Sequence, residues 1–141
     1  MRGFAVAATV CLALAVGTWA RAAATSDLIF DTVQQGSPKT SKTGYTLSER
    51  LNSPTGQRLG TATAVCAYTP RNAQLHSGAS CNIRFVFKDG TISSTATIAF
   101  KDNSGKLHVT GGTGTYKGVT GQGALTEIRP GVSEVDLKLS K

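Results

Sequence analysis

The stretch VTGGTGTYKGVTGQG, from Val109 to Gly123, is the most unusual part of the sequence and holds six glycines in fifteen residues. Glycine-rich loops that bind nucleotide phosphates lead into a helix whose N-terminus faces the anion. No amphipathic helix follows here, because residues 124–128 have the pattern of a strand, and Gly-Lys-Ser/Thr is missing from the stretch. The stretch therefore predicts a tight crossing between strands, where glycines take positive φ or let two backbones approach closely. Tyr116, its one bulky side chain, is expected to plug an end of the core.

Short runs with a period near two surround this stretch, and no window of ten or more residues has helical periodicity. The clearest turn is Asp89-Gly90, which is typical of a two-residue hairpin. The predicted strands are Leu28–Val33, Gly44–Asn52, Gln57–Tyr68, Ser80–Lys88, Thr91–Lys101, Lys106–Thr110, Gly121–Arg129 and Ser133–Ser140. Polar loops are predicted at 34–43 and 70–78. Eight short strands favour an all-β fold, an antiparallel barrel or a sandwich, and a closed barrel would leave no strand edges and room for one small ligand.

The first 22 residues have the pattern of a secretory signal peptide. Arg2 supplies a positive charge, residues 4–19 carry none, and small-x-small cleavage sites end at Ala22 and Ala24. The apolar run is too short to cross a hydrocarbon core of about 30 Å, although an uncleaved anchor is the alternative. We therefore expect a secreted or periplasmic protein with no membrane attachment after cleavage, in which residues 23–141 form one domain.

Charge and cysteine content limit the partners of this domain. Loss of the two signal arginines leaves 13 basic and 8 acidic residues, and the basic ones are scattered singly, so we expect no nucleic-acid partner. Cys66 and Cys81 remain as an even pair in an oxidising compartment, which predicts a disulfide worth about 3 kcal/mol. A catalytic thiol is the alternative. Two cysteines and two scattered histidines are too few for a metal site, so we expect none.

Three segments in collinear order carry a family resemblance. They are the pattern Gly-Gly-Thr-Gly-x-Tyr-x-Gly-x-x-Gly at 111–121, Asp27-Leu-Ile-Phe-Asp31, and the segment Gly56–Cys66, which begins Gly-Gln-Arg-Leu-Gly. Together they resemble the barrel shared by plant allene oxide cyclases and dirigent proteins. The resemblance implies an eight-stranded antiparallel β-barrel, often trimeric, with a largely apolar cavity open at one end. A homo-oligomer, dimer or trimer, is accordingly expected.

The same resemblance implies a function. Family members that act on substrates fold a reactive intermediate inside the cavity, so that one cyclisation or coupling outcome is favoured by proximity and orientation. We therefore expect a small apolar or phenolic ligand, isomerase-type or cyclase-type chemistry, and no cofactor. In cyclase-type members an acid on the first strand and an asparagine on the second orient water and the substrate oxygen. Asp31 and Glu49 occupy these positions and are the candidate catalytic residues, Glu49 being a departure from asparagine, while Tyr45, Tyr68 and Tyr116 are candidate ligand-binding residues.

Both candidate acids lie on otherwise apolar strand faces, beside Val33 in the case of Asp31 and Leu47 in the case of Glu49. A carboxylate on such a face is costly unless it is paired or hydrated, so if both point inward at least one should have a raised pKa. Alternatively, the apolar face is the outer one and is covered by oligomerisation, or each acid pairs with an arginine. The candidates for such pairs are Arg50, Arg58 and Arg84. A non-catalytic secreted barrel for ligand binding or surface assembly therefore remains the alternative function.

Overall fold

The computed structural model describes residues 25–71 and 74–141, and the predicted signal peptide lies outside them. Nine strands are present in these residues, with a single 3-10 turn at Phe100–Asp102. The strands are β1 Thr25–Gln34, β2 Lys39–Thr40, β3 Gly44–Asn52, β4 Arg58–Thr69, β5 Gly78–Phe87, β6 Gly90–Ala99, β7 Ser104–Gly114, β8 Thr120–Arg129 and β9 Val132–Ser140. Within the described ranges, no helix is long and apolar enough to cross a membrane.

Antiparallel pairing closes the eight long strands into a ring. From β3 to β9 each strand pairs with the next along the chain, and β9 pairs with β1. The ring closes where Asp31–Gln34 of β1 pairs with Glu49–Asn52 of β3. The predicted eight-stranded antiparallel barrel is therefore confirmed.

Several strand bounds differ from the prediction by a few residues, and two predictions need a larger correction. The segment 34–43, predicted to be a loop throughout, contains β2, which pairs with Tyr45 and Thr46 and lies outside the ring. The strand predicted at Lys106–Thr110 is longer, because β7 continues into the glycine-rich stretch as far as Gly114. Gly114 and Gly118 then adopt φ of +60° and +77° in the turn that leads to β8.

The barrel interior is packed at one end. Phe30 contacts Phe85 and Phe87 edge-on, with ring centroids 5.1 and 5.4 Å apart, and Phe87 lies 5.5 Å from Tyr116. Phe30 and Phe85 are completely buried, as is Leu51. These large side chains fill the end of the barrel that is formed by the start of β1 and the end of β9, which leaves the opposite end as the place where a ligand can enter.

The disulfide joins two neighbouring strands across their long connection. Cys66 of β4 and Cys81 of β5 are direct partners in the antiparallel register, and both side chains are buried. Their sulfur atoms are bonded, so the predicted disulfide is confirmed. The bridge forms part of the inner wall at the open end of the barrel.

Candidate functional site

A cavity of about 190 Å³ opens at the end of the barrel formed by the end of β1 and the start of β3. We call it the Glu49 cavity. Its apolar wall consists of Leu47, Ala64, Cys81, Ile83, Ile98 and Leu125, and its polar and aromatic lining includes Gln34, Tyr45, Glu49, Phe100, Asn103, Glu127 and Ser133. A cavity of about 150 Å³ holds benzene in a well-studied engineered protein, so this one has room for a small aromatic molecule.

The register of β3, β4 and β5 explains why space remains here. Leu47, Ala64 and Ile83 are neighbours in one inward-facing row, and the small alanine leaves room between its two larger neighbours. Leu51, the next inward residue of β3 beyond Glu49, is fully buried in the packed end. Glu49 is therefore the deepest β3 residue of the cavity lining.

Glu49 carries a carboxyl group into this apolar cavity. It lies opposite Gln34 of β1 and Ala62 of β4. Burial raises the pKa of the Glu49 carboxyl above its ordinary value, and the nearby Thr32 hydroxyl partly opposes the rise. Thr32 Oγ1 is itself buried and forms no hydrogen bond of ordinary geometry within the described residues. The deep end of the cavity therefore contains two polar groups, the Glu49 carboxyl and the Thr32 hydroxyl, and the hydroxyl has no hydrogen-bond partner of ordinary geometry among the described residues.

Neither candidate acid forms an ion pair with an arginine in the described part of the chain. The one salt bridge found there joins Lys138 Nζ to Asp27 Oδ1 at 3.5 Å on the outer surface. Arg50 follows Glu49 directly, and because successive side chains of a strand point to opposite faces, it points away from the cavity. Within these residues, Glu49 thus has no basic partner.

Asp31 is on the other side of the barrel wall. Its neighbours Phe30 and Thr32 are both completely buried and point inward, so the period of the strand directs Asp31 outward. It lies opposite Glu134 of β9 and Asn52 of β3. The two candidate acids are therefore not brought together, and of the pair only Glu49 faces the cavity.

The candidate tyrosines divide between the two ends of the barrel. Tyr45 lines the Glu49 cavity, and its pKa is raised by burial and, to a smaller extent, by Tyr68 and Glu49. Tyr68 is not part of the lining but packs behind Tyr45, with ring centroids 5.5 Å apart. Tyr116 lies at the packed end beside Leu139, away from the cavity.

Further aromatic side chains surround the mouth. His76 stacks on Tyr68 with ring centroids 4.6 Å apart, and Phe100 meets Tyr68 edge-on at 6.4 Å. His76 Nδ1 lies 3.0 Å from the Pro70 carbonyl oxygen, to which it can donate a hydrogen bond. We call Tyr45, Tyr68, His76 and Phe100 the aromatic rim. It connects the loop after β4 to the cavity wall.

Sequence reasoning did not identify several lining residues. Glu127 is exposed at the cavity mouth, and Asn103 and Phe100 come from the turn between β6 and β7. The available signal was the spacing of Glu127, two residues after Leu125 on the same strand face. For Asn103 no local signal existed, because only barrel closure brings that turn to the mouth.

A wider groove of about 700 Å³ lies on the outside of the barrel, between the β2–β3 hairpin and β4. Lys39, Arg71 and Val65 are among its lining residues. Val65 is 55% exposed, and the groove is open to solvent. The Glu49 cavity, which lies inside the barrel wall and holds a partly buried acid, is the better candidate site.

Comparison with known proteins identifies the fold. No protein-family model matches the chain, and no curated protein matches it. Among solved structures, a pyocyanin demethylase is similar over 81% of this chain and 99% of its own, with a TM-score of 0.64 and 19% identity. The pterocarpan synthase dirigent protein GePTS1 is similar over 84% of this chain and 88% of its own, with a TM-score of 0.66 and 15% identity.

The exo-specific intermolecular Diels-Alderase AbnU is also similar, over 84% of this chain and 99% of its own, with a TM-score of 0.61 and 15% identity. These structures share one barrel architecture with this protein, which confirms the fold that the three sequence motifs implied. The chain therefore has the eight-stranded antiparallel barrel fold of dirigent proteins and their structural relatives.

Proposed function

We propose that this protein binds one small molecule with an apolar or phenolic ring in the Glu49 cavity and steers its cyclisation or coupling without a cofactor. The observation that carries the proposal is a cavity of about 190 Å³, with apolar walls and an inward acid, in a barrel whose other end is packed. Similar barrels are named as a dirigent protein and a Diels-Alderase, which supports chemistry by positioning.

The cavity supplies two kinds of help to such a reaction. Its walls, including Leu47, Ile83 and Leu125, hold a ring in one orientation and exclude water, so that one reactive geometry is favoured. When protonated, Glu49 donates a hydrogen bond to a ligand oxygen, and when ionised it accepts the proton of a phenol. The raised pKa of Glu49 moves the pH range in which the carboxyl titrates towards neutral pH, where a general acid and a general base are both useful.

A ligand-binding barrel without catalysis is the second candidate. It is favoured by the outward position of Asp31, because the cavity then lacks the second group of the acid pair expected from the resemblance. An assembly role is less well supported, since Ile29 and Val65, two exposed large apolar residues of the outer wall, lie on β1 and β4, which are not neighbouring strands. We further propose that the protein is exported, in keeping with its disulfide.

A cavity-filling variant tests the proposed site. Ala64 is 3% exposed in the cavity wall, so Ala64→Leu should occupy the space and weaken binding of 1-naphthol at least about tenfold, as measured by calorimetry. The control is Ala124→Leu, the same change on the exposed outer face of β8, which should leave the affinity unchanged. If wild-type protein does not bind 1-naphthol, or A64L binds it equally well, the proposed site is wrong.

Native mass spectrometry of protein purified from its host culture then identifies the natural ligand class. A co-purifying molecule that A64L loses and A124L keeps would supply the substrate for a turnover assay. Formation of one cyclised or coupled isomer in excess over the uncatalysed mixture supports the catalytic proposal. An unchanged product mixture, with binding intact, supports the non-catalytic barrel instead.

A further inference from the structure

The charge of the Glu49 cavity is opposite to that of the protein as a whole. The chain has 15 lysines and arginines against 8 aspartates and glutamates. Two of those acids, Glu49 and Glu127, line the cavity, whereas its described lining contains no lysine, arginine or histidine. A basic protein thus encloses a small acidic pocket.

Among the described residues, the elements around this pocket supply no cation to it. From β1 the groups facing Glu49 are the neutral side chains of Thr32 and Gln34, and from β4 and β5 they are alanine, cystine and isoleucine side chains. Tyr45 of β3 and Glu127 of β8 are the titratable groups that share the cavity with it. Lys101 and Arg129, which follow lining residues along the chain, are exposed to solvent.

A partly buried carboxylate without a positive partner is costly, and a ligand can supply the missing charge. The lining offers two further features that attract a cation. Tyr45 and Phe100 present aromatic rings, whose faces attract positive charge. Gln34, opposite Glu49, adds an amide carbonyl that can accept a hydrogen bond. The apolar wall formed by Leu47, Ile83 and Leu125 would contact an uncharged ring.

We propose that the Glu49 cavity selects aromatic molecules that carry a protonated amine or ring nitrogen, with the positive charge placed against Glu49. This inference rests on the proposed function, since it names the class of ligand that the same cavity binds best. Among ligands with an apolar or phenolic ring, it selects those that carry one cationic group, and this group would lie at the deep end of the pocket.

Binding of such a cation has a measurable proton linkage. Burial raises the pKa of Glu49 in the empty protein, and a positive charge beside the carboxyl lowers it again. Binding therefore releases protons at any pH where Glu49 of the free protein is partly protonated. Affinity for the amine rises with pH as Glu49 ionises, up to the pH at which the amine itself loses its proton.

The test uses two probes of nearly equal shape, tryptamine with its ammonium group and tryptophol with a hydroxyl in its place. Calorimetry should show that wild-type protein binds tryptamine about tenfold more tightly than tryptophol. In the isosteric variant Glu49→Gln the two affinities should become equal, with tryptophol binding retained. Glu127→Gln, which removes the acid at the mouth, should keep most of the preference for tryptamine.

The outcomes separate this inference from the proposed function. If tryptophol binds wild-type protein as tightly as tryptamine, or if E49Q keeps the preference, the cation inference is wrong while the cavity remains a binding site. If neither probe nor 1-naphthol binds, the binding site itself is wrong. Titrations in buffers of different ionisation enthalpy, repeated at several pH values above 4.5, should show proton release with tryptamine for wild-type protein as Glu49 titrates and none for E49Q. Equal proton release in both proteins at every pH would overturn the inference.

Discussion

Burial of the Glu49 carboxyl links the stability of the barrel to pH. Its pKa in the folded state is raised above the ordinary value of 4.5, so the folded protein binds more protons than the unfolded chain in the range between the two pKa values. Stability due to this group therefore falls as pH rises from about 4.5 through the raised pKa, and the loss is complete above it. The ionised group thus weakens the fold at any pH above the raised pKa.

Glu49→Gln should consequently stabilise the protein at a pH above the raised pKa of Glu49, and it should have little effect at a pH where Glu49 is protonated in both the folded and the unfolded state. Urea unfolding followed by circular dichroism across this pH range measures the difference. Glu134→Gln removes a carboxylate from the exposed outer face of β9 and serves as the matched control. A stability difference for E49Q that does not change with pH would contradict the buried-acid interpretation.

Phe30 is the residue on which the packed end depends most. It is completely buried and contacts the rings of both Phe85 and Phe87. Phe30→Ala should lower the free energy of unfolding by about 3–5 kcal/mol, because it removes a large apolar side chain and leaves a void. Chemical denaturation measures this loss, and a decrease below about 1 kcal/mol would mean that this end of the barrel is loosely packed.

At the scale of the strand, the disulfide restrains β4 and β5 across a connection that would otherwise be free in the unfolded chain. Cys66 and Cys81 are separated by 15 positions, for which loop-closure entropy gives about 3 kcal/mol of stabilisation. The double variant Cys66→Ala/Cys81→Ala should lose this amount in urea unfolding. Reduced wild-type protein should show a loss of similar size, and an unchanged midpoint in both cases would contradict the prediction.

Two adjacent glycines of the glycine-rich stretch, Gly111 and Gly112, differ in the space that is available for a Cβ atom. A Cβ on Gly112 would lie 2.4 Å from the Tyr116 carbonyl oxygen and 2.7 Å from that of Thr91, whereas a Cβ on Gly111 meets nothing within 4 Å. Gly112→Ala should therefore cost about 1–3 kcal/mol through forced backbone movement. Gly111→Ala is the control and should be close to neutral. Equal effects of the two variants on the thermal midpoint would show that the close approach is not what requires glycine.

The strands could be predicted from the sequence because alternation and turn residues are local signals, and β3 has the bounds Gly44–Asn52 that were expected. The site was only partly predictable. On β1 both faces carry apolar residues, Phe30 on one and Ile29 with Val33 on the other, so alternation alone does not tell whether Asp31 points in or out. Barrel closure decides this, as it decides that Glu127 reaches the cavity mouth.

At the scale of the whole molecule, the barrel has two ends with different physical properties. One end is filled by Phe30, Phe85 and Phe87 and supplies much of the apolar burial, so the other end can remain open without unfolding the ring. Eight closed strands need no side chain at the open end to complete their backbone hydrogen bonds. Space, and an acid without a basic partner among the described residues, are therefore tolerated there, where a ligand can reach them.

The proposed export adds a prediction about the mature chain. Strand β1 begins at Thr25, and its first residue already pairs with Ser140 of β9, so cleavage after Ala22 or Ala24 would leave the whole ring intact. N-terminal sequencing of protein from the extracellular or periplasmic fraction should begin at Ala23 or Thr25. Thiol alkylation before reduction should label no cysteine, because Cys11 is removed and Cys66 is bonded to Cys81. An intact N-terminus with Cys11 labelled would contradict cleavage, and a start beyond Leu28 would remove residues through which β1 pairs with β9.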